Sequence, residues 1–266
     1  MINFYINSSV YFQVILAGLF TWGVTALGAA IVFFFKKVNG TVLDAMLGLS
    51  AGVMISASFF SLLNPAINQA SNLGMNAWIV VSLGFLLGGL LLILGDLFFN
   101  RFFEKKNKKN SKSIKRSLML IFSITLHNIP EGLAVGVAFG SLAVGLNGVT
   151  LTSAVMLALG VAIQNFPEGT AISLPLRREN FSRTKSFVYG ALSGIVEPIS
   201  AFLGCLLVIY VQNILPFFLS FAAGAMIYVA ISELIPESQK NKHKNLMSLF
   251  TVIGFVLMMI LDVALG

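Results

Sequence analysis

Long apolar stretches and short polar connections alternate along this chain. The stretches fall near residues 11–35, 42–64, 75–99, 117–141, 148–174, 186–211, 215–236 and 246–265. Each is about 20 residues or longer, the length at which a helix rising ~1.5 Å per residue crosses ~30 Å of hydrocarbon. The pattern predicts an all-α polytopic membrane protein with eight transmembrane helices, forming one transmembrane domain over residues 1–266. Composition agrees: 57% of the residues are hydrophobic and 10% are charged, against roughly a quarter charged in soluble domains.

Every Lys and Arg falls in alternate connections. Lys36 and Lys37 follow the first stretch, and the run from Arg101 to Arg116 follows the third. Arg177, Arg178, Arg183 and Lys185 follow the fifth, and Lys240, Lys242 and Lys244 follow the seventh. Basic connections mark the cytoplasmic side, so both termini are expected outside and the basic loop at about 100–116 inside. This distribution accounts for the net charge of +7 without a nucleic-acid partner; the surroundings expected are the lipid bilayer. Residues 1–13 carry no Lys or Arg, so the basic start of a cleaved signal peptide is missing and the first span is expected to remain. The single cysteine, Cys205, excludes a disulfide framework and a thiolate metal cluster.

One short phrase occurs twice, 37 positions apart. His127-Asn128-Ile129-Pro130-Glu131-Gly132 lies in the fourth stretch, and Gln164-Asn165-Phe166-Pro167-Glu168-Gly169 in the fifth. Residues three and four apart share a helix face, so His127, Asn128 and Glu131 form one polar face and Gln164, Asn165 and Glu168 another. The two spans run in opposite directions, which lets the faces meet across a pseudo-two-fold axis. Pro130 and Pro167 cannot donate backbone hydrogen bonds and should free the carbonyls of Leu126 and Ile163. Irregular backbone of that kind is tolerated at membrane depth where it lines a cavity.

Glu131, Glu168 and Glu197 all fall near the middle of their spans. At ~2.5–3.5 kcal/mol each, three ionised carboxylates would cost on the order of 8–10 kcal/mol if left exposed to lipid. No Lys or Arg lies at that depth to neutralise them. Protons, hydrogen bonds or a bound cation remain, and three glutamates beside an imidazole and amides favour the cation. Carboxylate, imidazole and amide oxygen suit zinc, iron(II) or manganese better than copper(I). The expected site is therefore a midplane one for divalent ions that pass through; no prosthetic group is expected.

A second internal echo links Ala51-Gly52-Val53-Met54-Ile55 with Ala223-Gly224-Ala225-Met226-Ile227, each followed by a proline, Pro65 and Pro236. The second and seventh spans run in opposite directions, so the copies form an inverted repeat of helices 1–3 and 6–8 around helices 4–5. Inverted repeats around a central site are a transporter signature.

These residues resemble the ZIP (Zrt/Irt-like protein) family of divalent metal transporters, most closely its GufA-like bacterial branch. The resemblance rests on the two motifs, on Glu197-Pro198 in the sixth span and on Ser232-Glu233-Leu234-Ile235-Pro236-Glu237-Ser238 in the seventh. It implies a binuclear centre. One site would use His127, Glu131, Gln164 and Glu168, with Met54 and Ser61 as additional contacts. The adjoining site would use Asn128, Glu131, Asn165, Glu168 and Glu197. It also implies uptake of zinc, or of iron, manganese or cadmium, across the bacterial inner membrane into the cytoplasm by an elevator-type alternating-access movement of spans 1, 4, 5 and 6. Some relatives carry an acid where this chain has Asn165, so its second site has less negative charge. A homodimer stays an open alternative.

Asp262, near the outer end of the eighth span, is placed to receive ions. Asp44, Asp96 and Glu233 are placed to pass them onward, although each reads equally as an interfacial side chain. His243 reads as a solvated loop residue. The alternatives weighed are a metal-selective channel and an intramembrane metal-dependent enzyme. The enzyme would need a ligand pair such as His-Glu-x-x-His, which this chain lacks. A water channel would need two Asn-Pro-Ala motifs, and only Asn64-Pro65-Ala66 is present.

Overall fold

The computed structural model describes residues 8–34, 39–106, 112–145, 149–178, 180–210, 212–240 and 243–265; within the helices, the side chains of Asp96 and His127, and those of residues 99–100, 102–106, 112–124, 126, 178, 212 and 265, also lie outside the described set. Among the described residues all regular structure is helical. Helix α1 is Val10–Phe34 and α2 is Gly40–Ala57, which continues through a π-turn at Ser58–Leu63 into α3, Asn64–Asn72. Helix α4 is Ala77–Lys106, α5 Lys112–Ala143, α6 Leu151–Arg178, α7 Arg183–Ser193 and α8 Val196–Tyr210. Helix α9, Leu215–Val229, passes through a π-turn at Ala230–Leu234 into α10, Ile235–Ser238, and α11 is Lys244–Ile260.

Six helices or joined helices are long and apolar enough to cross a membrane among the described residues: Val10–Phe34, Gly40–Asn72, Ala77–Gly95, Arg183–Tyr210, Leu215–Ser238 and Lys244–Ala264. The fourth and fifth predicted stretches fall within α5 and α6, which are continuous helices outside these six. The second stretch continues past residue 64 to Asn72, through the π-turn and with Pro65 in the first turn of α3.

The backbone irregularity expected at Pro130 and Pro167 occurs elsewhere. Both prolines lie inside continuous helices. The irregular turns among the described residues are three π-turns, at Ser58–Leu63, Ala230–Leu234 and Leu261–Leu265, and a break in the sixth stretch. The first two end just before a proline, Pro65 or Pro236. Proline cannot donate to the carbonyl four residues back, and its ring crowds that carbonyl; a wider turn relieves both. The amides of Asn64 and Ile235 accordingly donate to Phe59 and Ala230, five residues back. The break in the sixth stretch falls at Gly194, between α7 and α8.

The helices pack in two groups. The most extensive contacts pair α5 with α8, α1 with α6, α2 with α11 and α4 with α9. Helix α7 joins the first two pairs, and α3 and α10 join the last two. Glycines set the approach within each pair, as expected where lipid supplies no hydrophobic drive between helices. A side chain on Gly224 would overlap the carbonyl of Phe85, and one on Gly52 the carbonyl of Thr251. Gly169 meets the Thr25 and Ala29 backbone, and Gly132 that of Glu197. The groups meet chiefly through α2 against α6 and α5 against α9.

Gly224→Ala is expected to force α9 away from α4 and destabilise the fold by about 2–3 kcal/mol, the upper range for overpacking. Thermal unfolding in detergent measures it. Gly23→Ala, at a position with open space around it, should melt like the native chain.

Candidate metal centre

Helices α5 and α6 bring their motif faces together inside the first group. Asn128, Glu131, Gln164, Asn165 and Glu197 are fully buried, and Glu168 is 2% exposed. Glu131, Glu168 and Glu197 lie close enough to act on one another electrostatically, and Glu233 acts on Glu168 as well. Burying such charges is costly unless each is paired or coordinated.

The three amides fix the polarity of the site. Gln164 Nε2 donates to Glu131 Oε1 at 2.7 Å. Asn165 Nδ2 donates to Glu197 Oε2 at 2.6 Å and to the Thr21 carbonyl at 3.3 Å. Asn128 Nδ2 donates to the Ser193 carbonyl at 3.1 Å, satisfying one of the orphan acceptors at the end of α7. All these partners are acceptors, so each amide must turn its NH2 group toward them and its oxygen away.

What is left over is a set of oxygens. Asn128 Oδ1, Glu131 Oε2, Gln164 Oε1, Asn165 Oδ1 and both carboxylate oxygens of Glu168 are buried with no hydrogen-bond partner among the described residues. Buried polar atoms are normally paired. Six unpaired acceptors on five neighbouring side chains form a concentration of negative potential that a hard or borderline cation satisfies. His127, one helical turn before Glu131, lies outside the described side chains. Among the described residues no three of His, Cys, Asp and Glu converge on a single ion-sized point; three of the six unpaired acceptors are amide oxygens.

Glu197 is held differently. It opens α8, where the helix N-terminus favours an anion. The room it occupies exists because residue 194 is glycine: a Cβ there would stand 2.8 Å from Glu197 Oε1. Thr25 Oγ1 donates to the same oxygen at 3.1 Å. Trp22 Nε1 donates to the Ala191 carbonyl at 2.8 Å and ties the end of α7 to α1. Sequence reasoning missed Thr25, Trp22 and Gly194, since nothing in an apolar run marks a contact some 170 residues away.

The remaining expected residues divide. Met54 is fully buried on α2, whose Ser50 donates to the Gln164 carbonyl at 3.2 Å. Ser61 lies in another neighbourhood, donating to Asp262 at 2.5 Å. Both line a cavity of about 210 Å³, together with Asn64, Asn68, Asn72 and Ser141. Asp262 Oδ2 is buried there without a described partner. Asp44 is buried on α2, Glu233 lies half-buried on the second π-turn, and the Asp96 side chain lies outside the described residues. His243 is exposed and precedes α11 without capping it.

Residues 111–262 match the family model described as ZIP Zinc transporter. The zinc transporter ZIP11 of Homo sapiens is 37% identical, with 98% of this chain and 99% of the relative covered. The zinc transporter ZIPB of Bordetella bronchiseptica is 37% identical, with 95% and 81% covered. The zinc transporter GufA of Myxococcus xanthus is 34% identical, with 95% and 98% covered.

A cation that binds only the folded chain should raise its melting temperature in detergent. At about a hundredfold excess over Kd the stabilisation is ~2.7 kcal/mol. Saturating zinc is expected to shift the native chain and leave Glu168→Ala unshifted; equal shifts in both would remove Glu168 from the donor set.

Proposed function

The chain belongs to the ZIP zinc transporter family, and on that premise we propose that it carries divalent transition-metal ions, zinc foremost, across the bacterial inner membrane into the cytoplasm. The family is one of transporters, not enzymes. Iron, manganese and cadmium are the alternative cargoes. The observation that carries this reading is the cluster of six buried acceptor oxygens on Asn128, Glu131, Gln164, Asn165 and Glu168. A proton would quiet a single carboxylate but would leave the amide oxygens unpaired.

The cargo is held first by His127, Glu131, Gln164 and Glu168, with Met54 beside them. The adjoining locus uses Asn128, Glu131, Asn165, Glu168 and Glu197. Helices α5 and α6 complete a set of eight crossings, with both termini outside and the basic loop at 100–116 in the cytoplasm. Two features support that topology: the alternation of basic connections, and the pairing of α1 with α6 and α2 with α11 alongside α5 with α8 and α4 with α9, the pattern an inverted repeat produces.

The movement proposed is an elevator in which α1, α5, α6, α7 and α8 carry the ion past α2, α3, α4, α9, α10 and α11. Its support is the division of packing into those two groups, with Ser50 of α2 bonded to the Gln164 carbonyl of α6 where they meet. Asp262 and the cavity around it form the outer approach; Glu233, Asp44 and Asp96 lie on the inner one. A metal-selective channel is the competing mechanism, and a flux that saturates and accelerates with metal on the far side separates the carrier from it.

In proteoliposomes loaded with a fluorescent zinc indicator, the native chain is expected to admit zinc. Glu168→Ala should lower the initial rate by at least about a hundredfold, the scale of losing more than 2.7 kcal/mol of binding, at equal protein insertion. Full flux in that variant would refute the shared-ligand assignment. Asn165→Asp adds a carboxylate to the second locus and should raise its affinity; an unchanged metal stoichiometry would count against the assignment of Asn165.

A further inference from the structure

The inverted repeat extends into the centre itself. Thr25 and Glu197 stand 172 residues apart. The same spacing relates Ala51–Ile55 to Ala223–Ile227, and it relates the π-turn that starts at Ser58 to the one that starts at Ala230. Packing follows the same register. Gly132 of the first motif lies against the backbone of Glu197, and Gly169 of the second lies against that of Thr25. Thr25 therefore occupies on α1 the place that Glu197 occupies on α8. A strict repeat would flank Glu131 and Glu168 with a carboxylate on each side. This chain has a hydroxyl on one side, and that hydroxyl donates across the axis to the carboxylate on the other.

The consequence is an unequal treatment of the three glutamates. Glu197 receives Thr25 Oγ1 on one oxygen at 3.1 Å and Asn165 Nδ2 on the other at 2.6 Å, and the Thr21 hydroxyl one turn earlier on α1 also reaches it. Glu168 has neither oxygen paired and Glu131 has one unpaired among the described residues. A buried carboxylate with donors on both oxygens has less need of a cation than one without. The latch can also open cheaply. Thr25 Oγ1 has a second acceptor within reach, the Thr21 carbonyl at 3.3 Å, so releasing Glu197 does not orphan a buried donor.

We infer that Thr25 is a positioning residue that holds Glu197 out of the metal site, so that the chain at rest binds one divalent ion and takes a second only when the Thr25–Glu197 bond opens. This rests on the reading that Glu131 and Glu168 hold the transported ion. Thr25 touches no ion itself; it sets, through Glu197, how many ions the shared carboxylates accept.

The test is the zinc content of the purified chain in detergent, by equilibrium dialysis and elemental analysis. The chains compared are the native one, Thr25→Val, Thr25→Ala, Thr25→Ser and Glu168→Ala. One ion per chain is expected for the native protein and for Thr25→Ser, which keeps the hydroxyl. Two are expected for Thr25→Val, the second binding about tenfold tighter than in the native chain. Thr25→Ala should behave alike, and it answers the question if valine crowds the site and the variant does not fold. One ion in both hydroxyl-free variants, or two in the native chain, overturns the latch while the metal-centre reading stands. No ion in the native chain, or an undiminished content in Glu168→Ala, overturns that reading itself.

Discussion

The arrangement depends on how a few amide NH2 groups are spent. Gln164, Asn165 and Asn128 each commit their donors to acceptors of the protein: a carboxylate, a carboxylate with a backbone carbonyl, and a helix-end carbonyl. Once those bonds are made, the amide oxygens have only one direction left, and they join Glu131 and Glu168 as acceptors without donors. The selectivity of such a centre for cations comes from the surrounding fold as much as from its glutamates. A neutral side chain becomes part of a negative cavity because its positive end is tied down elsewhere.

That orientation holds only if the helices sit at one distance. Gly132 and Gly169, inside the motifs, let α5 rest on the backbone of α8 and let α6 rest on α1. The glutamates one position earlier are thereby placed beside Glu197 and Thr25. Packing and chemistry are coupled at adjacent residues: the glycine sets the helix separation, and the glutamate uses it. The same device in α2 and α9 builds the other helix group, and the cavity near Asp262 opens between the two groups, lined from both.

Much of this was legible from residue order. Six of the eight stretches appear as long apolar helices among the described residues, and the repeated small-residue run lies on two of them, because membrane length and helical period act locally. Boundaries that depend on partners were less legible. Proline chemistry alone pointed to irregular backbone at Pro130 and Pro167, yet both lie inside continuous helices, and wide turns fall before Pro65 and Pro236. The break at Gly194 makes room for the Glu197 carboxylate, a need created by α1, which is remote in sequence. Ser61, which the family resemblance offered as a contact of the metal site, lies within the first π-turn and donates to Asp262, a partner some 200 residues away in sequence. Thr25 carried no signal as one threonine among apolar neighbours; the repeat register that relates Ala51 to Ala223 would have found it.

Trp22 gives the centre an optical handle. The chain has two tryptophans, and they occupy opposite surroundings. Trp78 is 75% exposed on the protein surface, whereas Trp22 is half-buried, with its indole N–H bound to Ala191 and one turn of α1 separating it from Thr25. Zinc has no useful colour or fluorescence of its own. With Trp78 replaced by phenylalanine, the emission of a single indole would follow the seam between α1 and α7, where Glu197 is held, in real time and without a label.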